Sequence, residues 1–321
     1  MGKLVDRPIA GSYALRMYED GTDARELFNA LVDNEGPDVF GRVVVPWLAK
    51  AGRSYRDAVA HACADGAWRT GEGVPERQDL CLRHELYALS RVSDALLHHF
   101  QPAPDPDGTR PWADALSTYD GWPVVSRAEY LELFTTLGMS PFDGTDFDPF
   151  HHEITEVEQS DDPDEPIRIL EVVWPGLMLG QLLFSRAGVR VRAGVHHARR
   201  GVADCSPLYW AYLRRYRPTV DLSRGWGSNS QWRTDLRLDY RTPTSTRLNV
   251  AGSTDIDDPA HLGDEEQLLT PAERRELLRH RCLLRAPDAA DELGDPSRWG
   301  GDLSPYTWRL PGAEEGAGPV G

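Results

Sequence analysis

The feature that most constrains this chain is a change of hydrophobic period near residue 138. Before it, apolar residues recur at helical spacing; after it, β-branched residues partly alternate with polar ones. Side chains share a face every three or four residues on a helix and every two on a strand, so the change separates a helical region from a sheet. The predicted fold class is α+β: a helical N-terminal region, a small antiparallel β domain, and an aromatic, basic, irregular C-terminal region with one late helix.

Local punctuation sets the expected elements. Thr22 can cap a helix that places Leu27, Phe28 and Leu31 on one face. Ser54 and Asp57 suggest a second helix start, after a short buried segment "VVVPWLA". The longest helix is expected over residues 76–100, with Leu82, Leu86, Leu89, Leu96 and Leu97 as an apolar stripe and Val92 between. Pro102, Pro104, Pro106 and Pro111 then forbid helix. Ser126 and Glu129 form a capping box, Leu131, Phe134 and Leu137 share a face, and Gly138 suits the left-handed position past the helix end. Thr270, Pro271 and Glu273 mark the late helix, with Pro287 beyond it.

Between these helices, "EITEVEQ" and "IRILEVVW" read as strands divided by an acidic turn from Pro163 to Pro166. Pro175-Gly176 marks another turn. "QLLFSRAGVRVRAGV" is one broken run, with Val189, Val191 and Val195 facing one way and Arg190 and Arg192 the other. Residues 147–195 thus predict three or four antiparallel strands. The expected organisation is a helical region over 1–101, a proline-rich linker over 102–125, a helix plus β domain over 126–198, a C-terminal region over 199–311 and a disordered tail over 312–321. "PLYWAYLRRYRP" in the C-terminal region reads as a short helix.

Charge narrows the partners. The net charge is −16, which disfavours binding to nucleic-acid phosphates. From Arg186 to Arg247, however, thirteen arginines face four aspartates, giving +9 there and leaving −25 elsewhere. Tyr209, Trp210, Tyr212, Tyr216, Trp226, Trp232 and Tyr240 lie among those arginines, a mixture that can stack on single-stranded nucleic acid but equally supplies core and cover residues. Four separated cysteines, Cys63, Cys81, Cys205 and Cys282, exclude a zinc ribbon and read as reduced thiols in a cytoplasmic protein. No apolar h-region opens the chain and no apolar run is long enough to span a membrane, so neither a signal peptide nor a membrane anchor is expected.

Several chemistries lack their residues. Lys3 and Lys50 are the only lysines, and neither follows a phosphate-binding glycine loop. "GWGSNS" has no third glycine at the dinucleotide-binding offset, and no G-x-S-x-G elbow exists. His84-Glu85 and His152-Glu153 begin like a zinc-protease helix, but Ala88 and Glu156 stand where the second imidazole belongs. His98-His99, His151-His152 and His196-His197 are doublets whose members point apart, so each can supply one ligand at most.

The densest polar stretch is "DFDPFHHEI", Asp146 to Ile154. Asp148 can accept a bond from the backbone two residues on, and Pro149 presets its own φ, so the pair predicts a rigid turn delivering His152 and Glu153 to a strand. An alternative is a metal-dependent hydrolase using His151, His152 and Glu153 with Asp148. A third reading is an adaptor that binds an anionic ligand or nucleic acid through 186–247.

From Leu137-Gly138-Met139 to Val191 the sequence resembles the C-terminal β head of GrpE-type nucleotide-exchange factors. The resemblance is carried by Gly144, Phe147, Asp148, Pro149, His152 and Glu153, then by Gly176, Leu179, Ala187, Val189 and Val191. Leu177, Gln181-Leu182 and Ser185-Arg186-Ala187 stand where that family has a tyrosine, Gly-Arg and Arg-Pro-Ala. The resemblance implies a non-enzymatic, cytoplasmic protein that binds the ATPase domain of a DnaK-type chaperone and speeds ADP release, with no cofactor, metal or membrane. It implies Asp148 and Pro149 as the structural turn, and His152, Gly176, Met178 and Arg186 as the contact residues.

Overall fold

The computed structural model describes residues 23–34, 36–65, 76–100, 123–204, 237–250, 252, 254–257, 270–285, 308–310 and 314–315. The chain is α+β, as the change of period predicts. It divides into two compact units. Among the described residues, one holds those from 23 to 96 and from 123 to 140; the other holds those from 97 to 100, from 141 to 204 and from 237 onward. The helix expected to join the β domain therefore belongs to the helical unit, and the strands group with the C-terminal region.

In the helical unit, α1 (Ala24–Val32) is capped by Asp23, whose carboxylate accepts from Glu26 N at 2.8 Å, one residue later than expected. Its apolar face is the predicted one: Leu27, Phe28 and Leu31 are buried. A π-helical turn (Phe40–Val44) runs directly into α2 (Val45–Asp65). The expected break at Ser54 is absent, because the helix is already under way at Val45 and Leu48, Ala49, Lys50 and Ala51 favour it. "VVVPWLA" thus starts a helix instead of forming a separate segment.

Helix α3 (Glu76–Leu97) is followed by a 3₁₀ turn (His98–Phe100). From Glu85 to Leu97 every residue is buried, so this stretch is a central helix rather than one with a single apolar stripe. Some of its polar groups bond within the helix, as Ser90 does to the Tyr87 carbonyl and Arg91 to Asp94, and others reach neighbouring helices. Glu85 accepts from the Tyr55 hydroxyl and from Ala24 N at 3.2 Å, and Ser93 bonds the Tyr130 hydroxyl at 2.9 Å. Burial, reinforced by Glu85, pushes the Tyr55 hydroxyl well above the usual phenol range. Helix α4 (Arg127–Thr136) has the expected capping box of Ser126 and Glu129, and Gly138 takes φ +93° beyond it. Its buried face is Tyr130, Leu133, Phe134 and Leu137, leaving Leu131 half-exposed.

The second unit holds the strands. β2 (His152–Gln159), β6 (Ala187–Ala193) and β3 (Arg168–Trp174) form one sheet with β6 in the centre. β3 runs antiparallel to β6, but β2 runs parallel to it, which corrects the all-antiparallel expectation. A parallel partner needs a crossover. Here β3, on the far side of β6, is part of that crossover, and after it the chain forms the hairpin β4 (Gly176–Leu179) and β5 (Leu182–Ser185) before returning as β6.

That hairpin belongs to a six-stranded sheet ordered β1 (Ser140–Phe142), β4, β5, β7 (Tyr240–Thr242), β8 (Ser245–Arg247), β11 (Glu314–Glu315). Residues 237–250, expected to be irregular, supply two of its strands. Glu314 and Glu315, placed in a disordered tail, pair with β8. β9 (Thr254–Asp255) and β10 (Trp308–Arg309) form a separate parallel pair. The expected helix over 207–218, the linker from 102 to 122 and "GWGSNS" lie outside the described residues.

Two apolar clusters hold this unit. Ile154, Val157, Val189, Val191, Ala193, Ala198, Ala203 and Cys282 line the three-stranded sheet. Phe150, Leu183, Leu248, Ile256, Leu278 and Leu310 line the other. Helix α5 (Pro271–His280), with its Thr270–Glu273 capping box, contributes Leu278 to the second, and the residues just past it contribute Cys282 to the first. The helix stops at Arg281, with φ +64°, before Pro287 is reached. Val195 lies past the end of β6 and is exposed.

Strand β3 is doubly bulged. Arg168, Glu171 and Trp174 pair with Arg192, Arg190 and Gly188, whereas Leu170 and Val173 have no register partner. Trp174 lies over Gly188, where a Cβ would come within 2.3 Å of the indole, and its N–H donates to the Arg186 carbonyl at 3.1 Å. Arg190 and Arg192 stand between Glu158, Glu165 and Glu171 at 2.7–3.8 Å, so this outer face is a lattice of exposed ion pairs.

Candidate functional site

The corner from Gly144 to Glu153 leads into β2. Asp148 organises it through both backbone and side chain. Its carbonyl accepts from His151 N at 2.9 Å and His152 N at 2.8 Å, while Oδ1 accepts from Phe150 N at 2.9 Å. That is the turn the Asp-Pro pair predicts. The carboxylate is also gripped by Arg241 through both terminal nitrogens, one of them 3.1 Å from Oδ1, and Oδ2 meets His151 Nδ1 at 3.1 Å. Burial works to raise the Asp148 carboxyl, but the bonds from His151, Arg241 and Phe150 N outweigh it and hold the group far below the usual carboxylate range.

Arg241 lies 4.4 Å from the centre of the Phe150 ring, close enough for a cation–π contact. The His151 ring meets Phe142 and Phe150 edge-on at 4.9 Å and 5.0 Å. His152 turns inward instead. Its Nδ1 lies 3.0 Å from Asp148 N and 3.1 Å from Asp148 O, and its Nε2 has no hydrogen-bond partner. Burial, then the neighbouring His151, pushes its pKa down to about 4, so the ring is neutral at physiological pH.

Beneath the corner lies a buried ionic network. Asp239 accepts from Arg186 Nη2 at 3.2 Å, Arg237 Nε at 2.8 Å and Asn249 N at 2.7 Å. Arg186 Nε donates to the Pro149 carbonyl at 2.9 Å, tying the network to the turn. Burial lowers the Arg186 pKa to about 10 against the pull of Asp239, which leaves it a cation at neutral pH. Glu153 lies 3.7 Å from Arg281.

The residues expected as contacts divide. His152, Gly176 and Arg186 are buried, and only Met178 keeps an accessible side chain. The first three are enclosed by neighbouring groups, a placement different from the exposed one expected of contact residues. Gly176 is closed off because a Cβ there would come within 2.1 Å of the Phe142 ring. Met178, two residues along β4, projects to the same face, and both Phe142 and Met178 are half-buried against the second cluster.

The side chains named for the hydrolase alternative turn to different neighbours. His151 points at Asp148 and Phe142, His152 at Phe147, and Glu153 at Arg281. Among the described residues, no three His, Cys, Asp or Glu side chains are arranged to hold a metal ion. The arginines at 186, 190, 192, 237 and 241 are likewise engaged with carboxylates. No helix among the described residues is long and apolar enough to cross a membrane.

Four residues of the site were not singled out from the sequence: Phe142, Asp239, Arg241 and His280. One signal was available. Arg237, Asp239 and Arg241 recur at intervals of two, which puts them on one side of an extended segment. No protein-family model, curated protein or solved structure matches the chain.

Proposed function

We propose that this chain is a non-enzymatic, cytoplasmic protein-binding accessory whose β unit serves as a nucleotide-exchange or co-chaperone head for the ATPase domain of a DnaK-type chaperone. The observation that carries this reading is the use made of the corner. Asp148 is engaged by Arg241, His151 and the backbone, and His152 and Arg186 are enclosed, so the groups suited to acid–base chemistry support the turn that starts the sheet. The same segment carries the resemblance to the GrpE head.

The accessible part of the corner has the composition of a contact surface. Phe142, Met178, His151 and Arg241 are all partly exposed, and aromatic residues, methionine and arginine are enriched at protein interfaces. Asp148 fixes His151 and Arg241 in advance, so little side-chain freedom is lost on docking. Exchange would follow from binding an open nucleotide cleft more tightly than a closed one, without a catalytic group or cofactor in this chain.

The test is release of a fluorescent ADP analogue from a DnaK-type chaperone with and without the protein. Faster release is expected, with the gain reduced at least tenfold by Met178→Asp or Phe142→Ala. Unchanged release together with no detectable complex would remove the proposal.

A further inference from the structure

The Phe147 ring packs against two imidazoles. His152 lies at 6.0 Å with 26° between planes, and His280 at 6.1 Å with 8°. One comes from the start of β2 and the other from the last residue of α5. Each has a buried ring nitrogen with no hydrogen-bond partner, Nε2 of His152 and Nδ1 of His280. Protonating either ring in place would put a proton on a nitrogen with no acceptor, beside a carboxylate, Asp148, that Arg241 and His151 already hold. We propose that the His152–Phe147–His280 stack is an acid-sensitive latch, closing the corner onto α5 at neutral pH and releasing it under acid conditions.

The surrounding charges support this direction. His152 faces His151 and Asp148 from the corner and Arg186 from the break between β5 and β6. His280 faces Arg279 on its own helix, together with Arg186 and Asp148. Arg186 in turn stands among Arg237, Glu153 and Asp239. Asp148 alone would favour protonation of both rings, and it is already bound by Arg241 and His151. Burial comes first for both imidazoles, pushing His152 to about 4 and His280 to about 3.

The sign follows from linkage. Both groups are depressed below their ordinary value of 6.5, so the opened form takes up protons that the closed form refuses. The stabilisation is complete above pH 6.5 and is lost as pH falls towards the folded values. Each imidazole raises the opening constant roughly 30-fold between pH 7.5 and 5, and together they raise it on the order of a thousandfold.

Hydrogen exchange of the full chain reads this out. Protection of peptides spanning 147–154 and 277–282 is measured at pH 7.5 and 5.0 and normalised for intrinsic exchange. A rise in opening on the order of a thousandfold is expected. It should drop to roughly 30-fold in His280→Phe, which keeps a ring against Phe147, and in His152→Asn, which keeps a polar atom near the Nδ1 position. A wild-type rise below about tenfold, or a full rise in both variants, overturns the latch. An NMR titration of the wild-type imidazoles gives an independent check that needs no variant: neither should titrate above pH 5, and a midpoint near 6.5 for either overturns it.

Discussion

Replacing Asp239 by alanine should be among the most damaging single changes in the β unit. Its carboxylate is buried and takes bonds from two guanidiniums and one backbone N–H. The variant leaves Arg186 and Arg237 without that counter-ion in the interior. Breaking a buried ion pair by removing one partner costs about 3–5 kcal/mol. A loss of that size is a large share of the roughly 5–15 kcal/mol that holds a domain together. With a urea m-value of about 2 kcal/mol/M, the midpoint should fall by about 2 M. Urea denaturation followed by peptide-resolved hydrogen exchange over β5 and β6 reads this unit separately from the helices. A double variant, Asp239→Leu with Arg186→Met, should lose clearly less than the two single changes added together, because it removes charge of both signs. A loss below about 1 kcal/mol for Asp239→Ala would show that solvent reaches this network and would refute the reasoning.

Other consequences can be checked on the same protein. Gly194→Ala should cost about 2–3 kcal/mol, since a Cβ there would lie 2.2 Å from the Pro163 carbonyl and backbone cannot yield cheaply; thermal melts read it. Asp148→Asn should destabilise at neutral pH. The depressed folded pKa means this contribution is complete above the ordinary value of 3.8 and declines as pH falls below it towards the folded value, so the gap between the wild-type and variant stability curves should narrow in acid. Cys282 is buried in the first apolar cluster, and burial, with Glu276 and Asp204, pushes its thiol up; mass-resolved alkylation at this site should therefore track unfolding rather than exposure.

Much of the local architecture is legible because its causes are local. Ser126–Glu129 and Thr270–Glu273 each satisfy helix-end groups within four residues, so both capping boxes form where the sequence places them. The Asp148 turn is set by its own side chain and the next proline. The strands β2, β3 and β6 follow from β-branched runs. What the sequence hides depends on distant partners. Arg241 reaches Asp148 across 93 residues, with no local pattern linking them. The parallel pairing of β2 with β6 arises because β6 enters between β2 and β3, a placement which no periodicity records. The helix through Ser54 persists because strong helix formers precede a plausible cap. His152 lies in a polar, turn-rich stretch and Arg186 carries a charge, yet both are buried once the second sheet and α5 are in place.

The interruption at Arg186 makes a single run of chain serve two sheets, since β5 belongs to one and β6 begins immediately in the other. Sliding β6 by one position would turn Val189 and Val191 outward and bring Arg190 and Arg192 inside. It would also drag Leu182 and Leu183 out of place in the neighbouring layer, so neither layer can shift its alignment without spoiling the other.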